Sequence, residues 1–258
     1  MENLIFERVG PIGILKINRP QVLNALDIKV LEQIYMLIEL VVKGRQVKAF
    51  IITGEGDKSF VSGADINEMN GMDQLEALRF AELGQKVAKL LEDAPFISIA
   101  AVNGYALGGG LELALACDFI YAASDAKLGM PEVLLGLIPG FGGTQRLVNK
   151  IGETRAKELI LTGKMISADE AKALGLVSEI FPKADLMKES IAALEHILTN
   201  PFTALIQAKR AIQQTTTIRM AEGLEAERNM FAICFATSQT EKLMEEFLEK
   251  KGHHANAN

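Results

Sequence analysis

Three glycine-rich segments contain the residues whose types and spacing could do chemistry. The first, FVSGADI at 60–66, places small residues just before a helical turn. A helix N-terminus with little side-chain bulk leaves several backbone N–H groups unsatisfied, and such groups suit an anion or a developing oxyanion. The spacing also permits an ordinary loop capped by Asp65, and on spacing alone that interpretation is favoured.

The second segment, NGYALGGGLE at 103–112, lies between a predicted strand and a predicted helix. Three consecutive glycines, 108–110, indicate close backbone approach or unusual dihedral angles. The segment lacks the Gly-Lys-Ser/Thr ending of a P-loop and does not fit G-x-G-x-x-G, so neither a nucleoside triphosphate nor a dinucleotide is indicated. Tight packing of a strand against a helix is the simpler reading of the pattern.

The third segment comprises GMPE at 129–132 and GLIPGFGGT at 136–144. Pro131 can begin a helix, which puts Glu132 in the first turn, and Glu112 also falls at a predicted helix start. The two glutamates are 20 residues apart and cannot share a helical face, but two glycine-rich turns could bring them to one pocket as an acid and a base. Alternatively, each is a solvated first-turn residue stabilised by the helix dipole.

The elements that must position these segments alternate between strands and helices. Short β-rich runs are predicted at 4–9, 12–17, 47–53, 97–102, 119–123 and 177–180. Helices are predicted at 27–43 with Asp27 as the N-cap, at 75–91, from about 110, and from Leu186 onward. This alternation predicts an α/β core in residues 1–190. Residues 191–258 are predicted to be a helical region whose many apolar positions indicate oligomerisation.

Composition excludes several classes of function. The chain of 258 residues is long enough to bury a substantial core. It has three histidines, and because His253 and His254 lie in a polar tail, a histidine-rich zinc centre and a Ser-His-Asp hydrolase are both disfavoured. The two cysteines, Cys117 and Cys234, form no C-x-x-C motif, which fits a reducing cytoplasm.

Charge and hydropathy give two further expectations. A net charge of −6 disfavours nonspecific nucleic-acid binding, which depends on clustered basic residues. The N-terminus lacks the basic end and apolar block of a signal peptide. The most apolar window, 95–117, contains Asn103, Glu112 and four glycines, so we expect no membrane span there.

Together the three segments resemble the enoyl-CoA hydratase family, also called the crotonase superfamily. The likeness extends from ILKINRP at 14–20 through NAL at 24–26 and SGADI at 62–66 to PGFGGTQRL at 139–147, and on through ADEA at 168–171 and GLV at 175–177. It covers nearly the whole chain. The resemblance implies a ClpP/crotonase-like spiral of β-β-α units with a helical C-terminal region that supports trimers, often paired into hexamers.

The resemblance also implies roles for individual residues. The backbone N–H groups of Ala64 and Gly109 would form an oxyanion hole for a thioester carbonyl. Glu112 would act as base toward water and Glu132 would supply a proton to the α-carbon, while the Gly140 backbone would help to hold that water. Family isomerases generally lack the carboxylate at the position of Glu112, so its presence favours hydration.

The implied substrate is a fatty acyl group carried on coenzyme A, which is a handle and not a cofactor, so the resemblance implies no metal or redox group. The residues implied to bind coenzyme A are Asn24, Ala25, Leu26, Ser62, Ala64, Asp65, Ile66 and Lys250. For Lys250, a solvated tail lysine is an equally good interpretation. Two positions depart from the family pattern: Met130 replaces a common glutamine, and Gln21 replaces a common basic residue.

The leading hypothesis is reversible hydration of trans-2-enoyl-CoA to 3-hydroxyacyl-CoA in fatty-acid β-oxidation or a butanoate route, in the cytoplasm. Two alternatives remain open. One is another reaction of the same family, such as isomerisation or decarboxylation. The other is a noncatalytic, RNA-binding protein, against which the net acidity argues. The sequence leaves open the preferred chain length and the choice between trimer and hexamer.

Overall fold

The computed structural model describes residues 2–215 and 218–255, with side chains described as far as residue 246. The chain forms two compact units, Met1–Glu195 and His196–Asn258. All the segments singled out for chemistry, apart from Lys250, lie in the first unit. That the second unit supports trimers stays a prediction.

The described residues contain ten strands. They are β1 (Leu4–Val9), β2 (Ile12–Ile17), β3 (Ala49–Gly54), β4 (Ser59–Val61), β5 (Ile97–Val102), β6 (Tyr105–Leu107), β7 (Phe119–Ala123), β8 (Lys127–Gly129), β9 (Met165–Ser167) and β10 (Glu179–Phe181). The predicted strands 4–9, 12–17, 97–102 and 119–123 are confirmed at both ends. The predicted strands at 47–53 and 177–180 each begin two residues later in the structure.

The larger sheet has the strand order β1-β2-β3-β5-β7-β10, with β1 and β2 antiparallel and the remaining pairs parallel. Its inner strands β3 and β5 are buried at every residue. Parallel strands covered on both faces need continuous apolar runs, and AFIITG and ISIAAV are such runs. Their length and β-branched residues are why they are visible in the sequence.

The smaller sheet has the order β4-β6-β8-β9, in which β4, β6 and β8 are parallel and β9 is antiparallel to β8. Successive pairs β3/β4, β5/β6 and β7/β8 each place their first strand in the larger sheet and their second in the smaller one. This repeat is the predicted spiral of β-β-α units, and the α/β fold class is confirmed. Each strand of the smaller sheet has three residues, which is too short for a period to be visible in the sequence.

The helices of the described residues are α1 (Ile28–Gly44), α2 (Ile66–Met69), α3 (Gln74–Asp93), α4 (Gly109–Leu115), α5 (Gly143–Ile151), α6 (Glu153–Thr162), α7 (Ala168–Ala173), α8 (Leu186–Ile197), α9 (Phe202–Gln214), α10 (Met220–Cys234) and α11 (Ser238–Ala255). A 3-10 turn also spans Glu132–Leu135. The predicted N-cap Asp27 accepts a hydrogen bond from Val30 N. None of the described helices is both long and apolar enough to cross a membrane.

Candidate active site

Glu112 lies in the first turn of α4 and is only 2% exposed. Its Oε1 accepts hydrogen bonds from Phe141 N at 2.8 Å and from Gly143 N at 2.6 Å. The alternative of a solvated first-turn residue is therefore wrong for Glu112, because the packing of α4 buries the whole first turn. The glycine-rich loop that binds this carboxylate lies 29 to 31 residues further along the chain.

The surroundings of Glu112 raise the pKa of its carboxyl group from 4.5 to about 7. Desolvation by burial is the largest cause, and the negative charge of Glu132 adds to it. The two N–H groups and the guanidinium of Arg146 act in the opposite direction, because they stabilise the ionised form. A carboxyl group with this pKa can both accept and release a proton near neutral pH.

Glu132 follows Pro131 at the start of the 3-10 turn, as the sequence predicts. Both carboxylate oxygens are buried, and among the described residues neither has a hydrogen-bond donor beyond its own main chain. Burial accordingly raises the pKa of Glu132 as well. A buried carboxyl group without donors is held in its protonated form more readily than a solvated one, which is the state of a proton donor.

Two glycines make this arrangement possible. Gly108 has a φ of +50°, and a Cβ there would lie 2.9 Å from Glu132 Oε1. A Cβ on Gly110 would lie 2.1 Å from the carbonyl oxygen of Val61, so only glycine lets α4 pack against β4. The glycine triplet thus serves the tight strand-to-helix packing that the sequence indicates, and it also leaves room for a carboxylate.

Ala64 and Gly109 come together from two different segments. A Cβ built on Gly109 would lie 3.5 Å from Ala64 N. Within the described part of the chain, neither the Ala64 N–H nor the Gly109 N–H donates to an acceptor. Two neighbouring amide donors, one of them at a helix N-terminus, can hold an oxyanion.

The segment that carries Ala64 is latched to the segment after β2. Leu26 N donates to Gly63 O and Asp65 N donates to Leu26 O, both at 2.8 Å, which makes an isolated parallel bridge between Leu26 and Ala64. These bonds use the main-chain groups on either side of Ala64. They hold the Ala64 peptide without using its N–H group.

A buried polar cluster supports this latch. Arg19 forms ion pairs with Asp27 and Asp65, each at 3.1 Å, and its Nη1 also donates to Ala25 O at 2.7 Å. The fully buried side chain of Asn24 accepts from Arg19 N, and it donates to the carbonyl oxygens of Glu55, just after β3, and Ser59, at the start of β4. The polar groups of the Asn24 side chain are therefore used in hydrogen bonds within the protein.

Gly140 precedes the loop that holds Glu112. Its carbonyl oxygen accepts from Gln85 Nε2 at 2.9 Å, which ties the loop to α3. The ring of Phe141 packs edge-on against Phe80 of the same helix, with 5.3 Å between ring centroids. The loop is therefore fixed from the α3 side, while the predicted role of Gly140 in holding water stays a prediction.

The residues predicted to bind coenzyme A fall into two groups in the structure. Ala25, Leu26 and Asp65 are buried, whereas Ser62 is half-buried and Ile66 is 51% exposed at the start of α2. The side chains of Lys250, His253 and His254 lie outside the described residues. The predicted contact of Lys250 with coenzyme A therefore stays a prediction. No group of three or more His, Cys, Asp or Glu side chains suited to a metal occurs in the described part of the chain.

Sequence reasoning does not single out Arg19, Arg146 or Phe141 as site residues. Each lies inside a segment that carries the family resemblance, but an isolated arginine or phenylalanine gives no local signal of a tertiary contact. Met130, noted as a departure, is fully buried. A Cβ on Gly143 would lie 2.9 Å both from Met130 Cε and from Glu112 Oε1, so the thioether contributes to the apolar surroundings of that carboxylate.

The chain is similar to known proteins in both sequence and structure. Residues 7–256 match the family model described as enoyl-CoA hydratase/isomerase. The chain is 44% identical over 250 residues to a crotonyl-CoA hydratase of Syntrophomonas wolfei, which covers 97% of this chain and 96% of that protein. It is 41% identical over 251 residues to a short-chain-enoyl-CoA hydratase of Clostridium acetobutylicum, with the same two coverages. The solved structure of an enoyl-CoA hydratase from Bacillus anthracis superposes with a TM-score of 0.92 at 36% identity and covers 96% of each chain.

Proposed function

The chain belongs to the enoyl-CoA hydratase/isomerase family, and from that premise we propose that it catalyses the reversible syn addition of water to trans-2-enoyl-CoA. The product is a 3-hydroxyacyl-CoA, so the enzyme is a hydro-lyase. The observation that carries the proposal is the pair of buried carboxyl groups, Glu112 and Glu132, which are close enough for the charge of Glu132 to raise the pKa of Glu112. Hydration needs two such groups, whereas moving one proton needs only one.

The Ala64 and Gly109 N–H groups receive the thioester carbonyl oxygen in this proposal. Attack at the β-carbon moves the electron pair of the double bond toward that oxygen, which becomes an enolate. Fixed amide donors stabilise this charge more than they stabilise the neutral carbonyl, so they lower the barrier. The loss of one such donor typically costs about 2.7–4 kcal/mol of activation free energy.

The two glutamates divide the proton transfers. Ionised Glu112 accepts a proton from water as the water oxygen bonds to the β-carbon. Protonated Glu132 gives its proton to the α-carbon as the enolate collapses. Burial favours the protonated form of Glu132, and the N–H groups of Phe141 and Gly143 support the ionised form of Glu112. Transfer of a proton from Glu112 to Glu132 then restores the starting state.

Coenzyme A serves as the handle of the substrate. We propose that it binds at the backbone of residues 24–26 and 62–66 of one subunit of a homotrimer or a dimer of trimers, with Lys250 from the C-terminal helix of a neighbouring subunit near its phosphates. The sequence similarity to hydratases named for crotonyl-CoA and short-chain substrates supports a short acyl chain. Such a reaction belongs to fatty-acid β-oxidation or to butanoate metabolism.

The test follows the ultraviolet absorbance of the conjugated enoyl thioester when purified protein is mixed with crotonyl-CoA. We expect rapid loss of absorbance with the wild type, and loss of most activity in both Glu112→Gln and Glu132→Gln. If only Glu132→Gln were inactive, the reaction would use one carboxylate, as an isomerase does. If the wild type bound a crotonyl-CoA analogue without turnover, the hydratase assignment would be wrong.

A further inference from the structure

The segment that holds Glu112 is itself held from behind by a side chain outside the proposed reaction. Arg146 in α5 donates from Nη1 to the carbonyl oxygen of Phe141 at 3.0 Å. Its Nη2 forms an ion pair with Glu92 Oε2 in α3 at 3.1 Å. Arg146 thus joins α3 to the same peptide segment whose N–H groups bind the Glu112 carboxylate.

The contact between Arg146 and this segment leaves no spare space. Gly142 has a φ of +108°, and a Cβ there would lie 2.2 Å from Arg146 Nη1. The Arg146 side chain is 16% exposed, and its Nε is buried without a hydrogen-bond partner among the described residues. The fold keeps this guanidinium in place through its two outer nitrogens, even though a third donor goes unused.

We propose that Arg146, anchored by Glu92, is a positioning residue for Glu112: it fixes the Phe141–Gly143 segment so that two N–H groups converge on one carboxylate oxygen. The N–H group of Phe141 donates to Glu112, and the carbonyl oxygen of Phe141 accepts from Arg146. Rotation of this segment would break both bonds at once. The consequence of this positioning for catalysis rests on the proposed function, but the effect of Arg146 on Glu112 can be measured in the free protein.

The charges around Glu112 give the direction of the effect. Glu132 faces it from the 3-10 turn and raises its pKa, whereas Arg146 faces it from α5 and lowers it. Glu92 of α3 neutralises part of the charge of Arg146. The strands that contact α4 bring no charged side chain, because β4, β5, β6 and β7 read SFV, ISIAAV, YAL and FIYAA. Loss of Arg146 therefore removes a positive charge that lowers the pKa of Glu112. Desolvation and the charge of Glu132 remain, so the pKa of Glu112 rises.

A lysine cannot replace this arginine fully. One ammonium group would have to reach the Phe141 carbonyl and the Glu92 carboxylate, which the planar fork of a guanidinium contacts through separate nitrogens. Lysine retains the positive charge, so Arg146→Lys separates charge from geometry. Glu92→Gln retains an acceptor but removes the anchoring charge.

The experiment measures kcat and KM for crotonyl-CoA against pH in the wild type, Arg146→Gln, Arg146→Lys and Glu92→Gln. Arg155→Gln is the matched control, because Arg155 forms an exposed i,i+3 ion pair with Glu158. In parallel, 13C-detected NMR titrates the Glu112 carboxyl group in the free proteins, and Glu112→Gln identifies its signal. The NMR arm does not depend on which reaction the protein catalyses.

We expect Arg146→Gln to lower kcat by about 10- to 100-fold with KM within about twofold, as for a displaced catalytic group. The acid limb of its pH profile of kcat and the midpoint of its Glu112 titration should both move to higher pH by about half a unit or more. Arg146→Lys should have a lower kcat than the wild type, with a smaller displacement in pH than Arg146→Gln. Glu92→Gln should lie between Arg146→Gln and the wild type, and Arg155→Gln should match the wild type. If Arg146→Gln titrated at the wild-type pH, the inference would be overturned. If the wild type failed to hydrate crotonyl-CoA while the NMR titration still moved, the proposed function would fail and the positioning would stand.

Discussion

Replacing Glu112 with glutamine removes a carboxyl group that the fold keeps in a desolvated place, so the variant should lose activity and gain stability at alkaline pH. The pKa of this group is about 7 in the folded protein and 4.5 is its ordinary value. At a pH between these two pKa values, the Glu112 carboxyl group is ionised in the unfolded chain and protonated in the folded protein. The folded state then binds more protons, so stability falls as pH rises through this window.

The magnitude follows from the separation of the two pKa values. At 1.36 kcal/mol per pH unit, the wild type loses about 3 kcal/mol of unfolding free energy between acid and alkaline pH through this one group. Most of that loss falls between pH 5 and pH 8. Glutamine has no charge to desolvate, so Glu112→Gln should escape this loss.

The assay is urea unfolding of wild type and Glu112→Gln at pH 5 and pH 8, at one protein concentration because oligomerisation would affect the midpoint. The difference in stability between the two proteins should move by about 2–3 kcal/mol in favour of the variant at pH 8. The exposed Glu195 provides the control, since Glu195→Gln makes the same chemical change at a solvated position. A Glu112→Gln difference that stayed constant with pH would refute the buried-charge argument.

Three further predictions concern the loop, the latch and the base. Gly143→Ala should lower kcat by about 100-fold, because its Cβ would lie 2.9 Å from Glu112 Oε1; Gly44→Ala, where a Cβ meets nothing within 4 Å, should be unchanged in the absorbance assay. Arg19→Gln should reduce the urea-unfolding free energy by about 1–3 kcal/mol, because it leaves two partly buried carboxylates without their partner; an unchanged unfolding free energy would contradict this. For the wild type, kcat/KM should fall about tenfold for each pH unit below about 7 as Glu112 becomes protonated; a flat profile down to pH 5 would rule out Glu112 as the base.

The sequence by itself determined the elements that are long enough to show a period. The strands of the larger sheet, apart from shifted boundaries at β3 and β10, and the long helices α1 and α3 follow from apolar patterns and N-caps. The order of the glycine-rich motifs also determined the family resemblance. With it came the expectation that Glu112, Glu132, Ala64 and Gly109 serve one site.

Only the tertiary structure decided the smaller sheet and the surroundings of the site. Three-residue strands such as β4 and β6 are specified by their partners and not by their own composition, so no local pattern predicts them. The protonation of Glu112 is likewise a property of its neighbours: spacing cannot reveal that Phe141 and Gly143 donate to it, or that Arg146 holds the segment they belong to. Desolvation, which raises the pKa of Glu112, and the converging hydrogen bonds, which lower it, arise only when segments far apart in sequence pack together, and desolvation outweighs the hydrogen bonds to give a pKa of about 7.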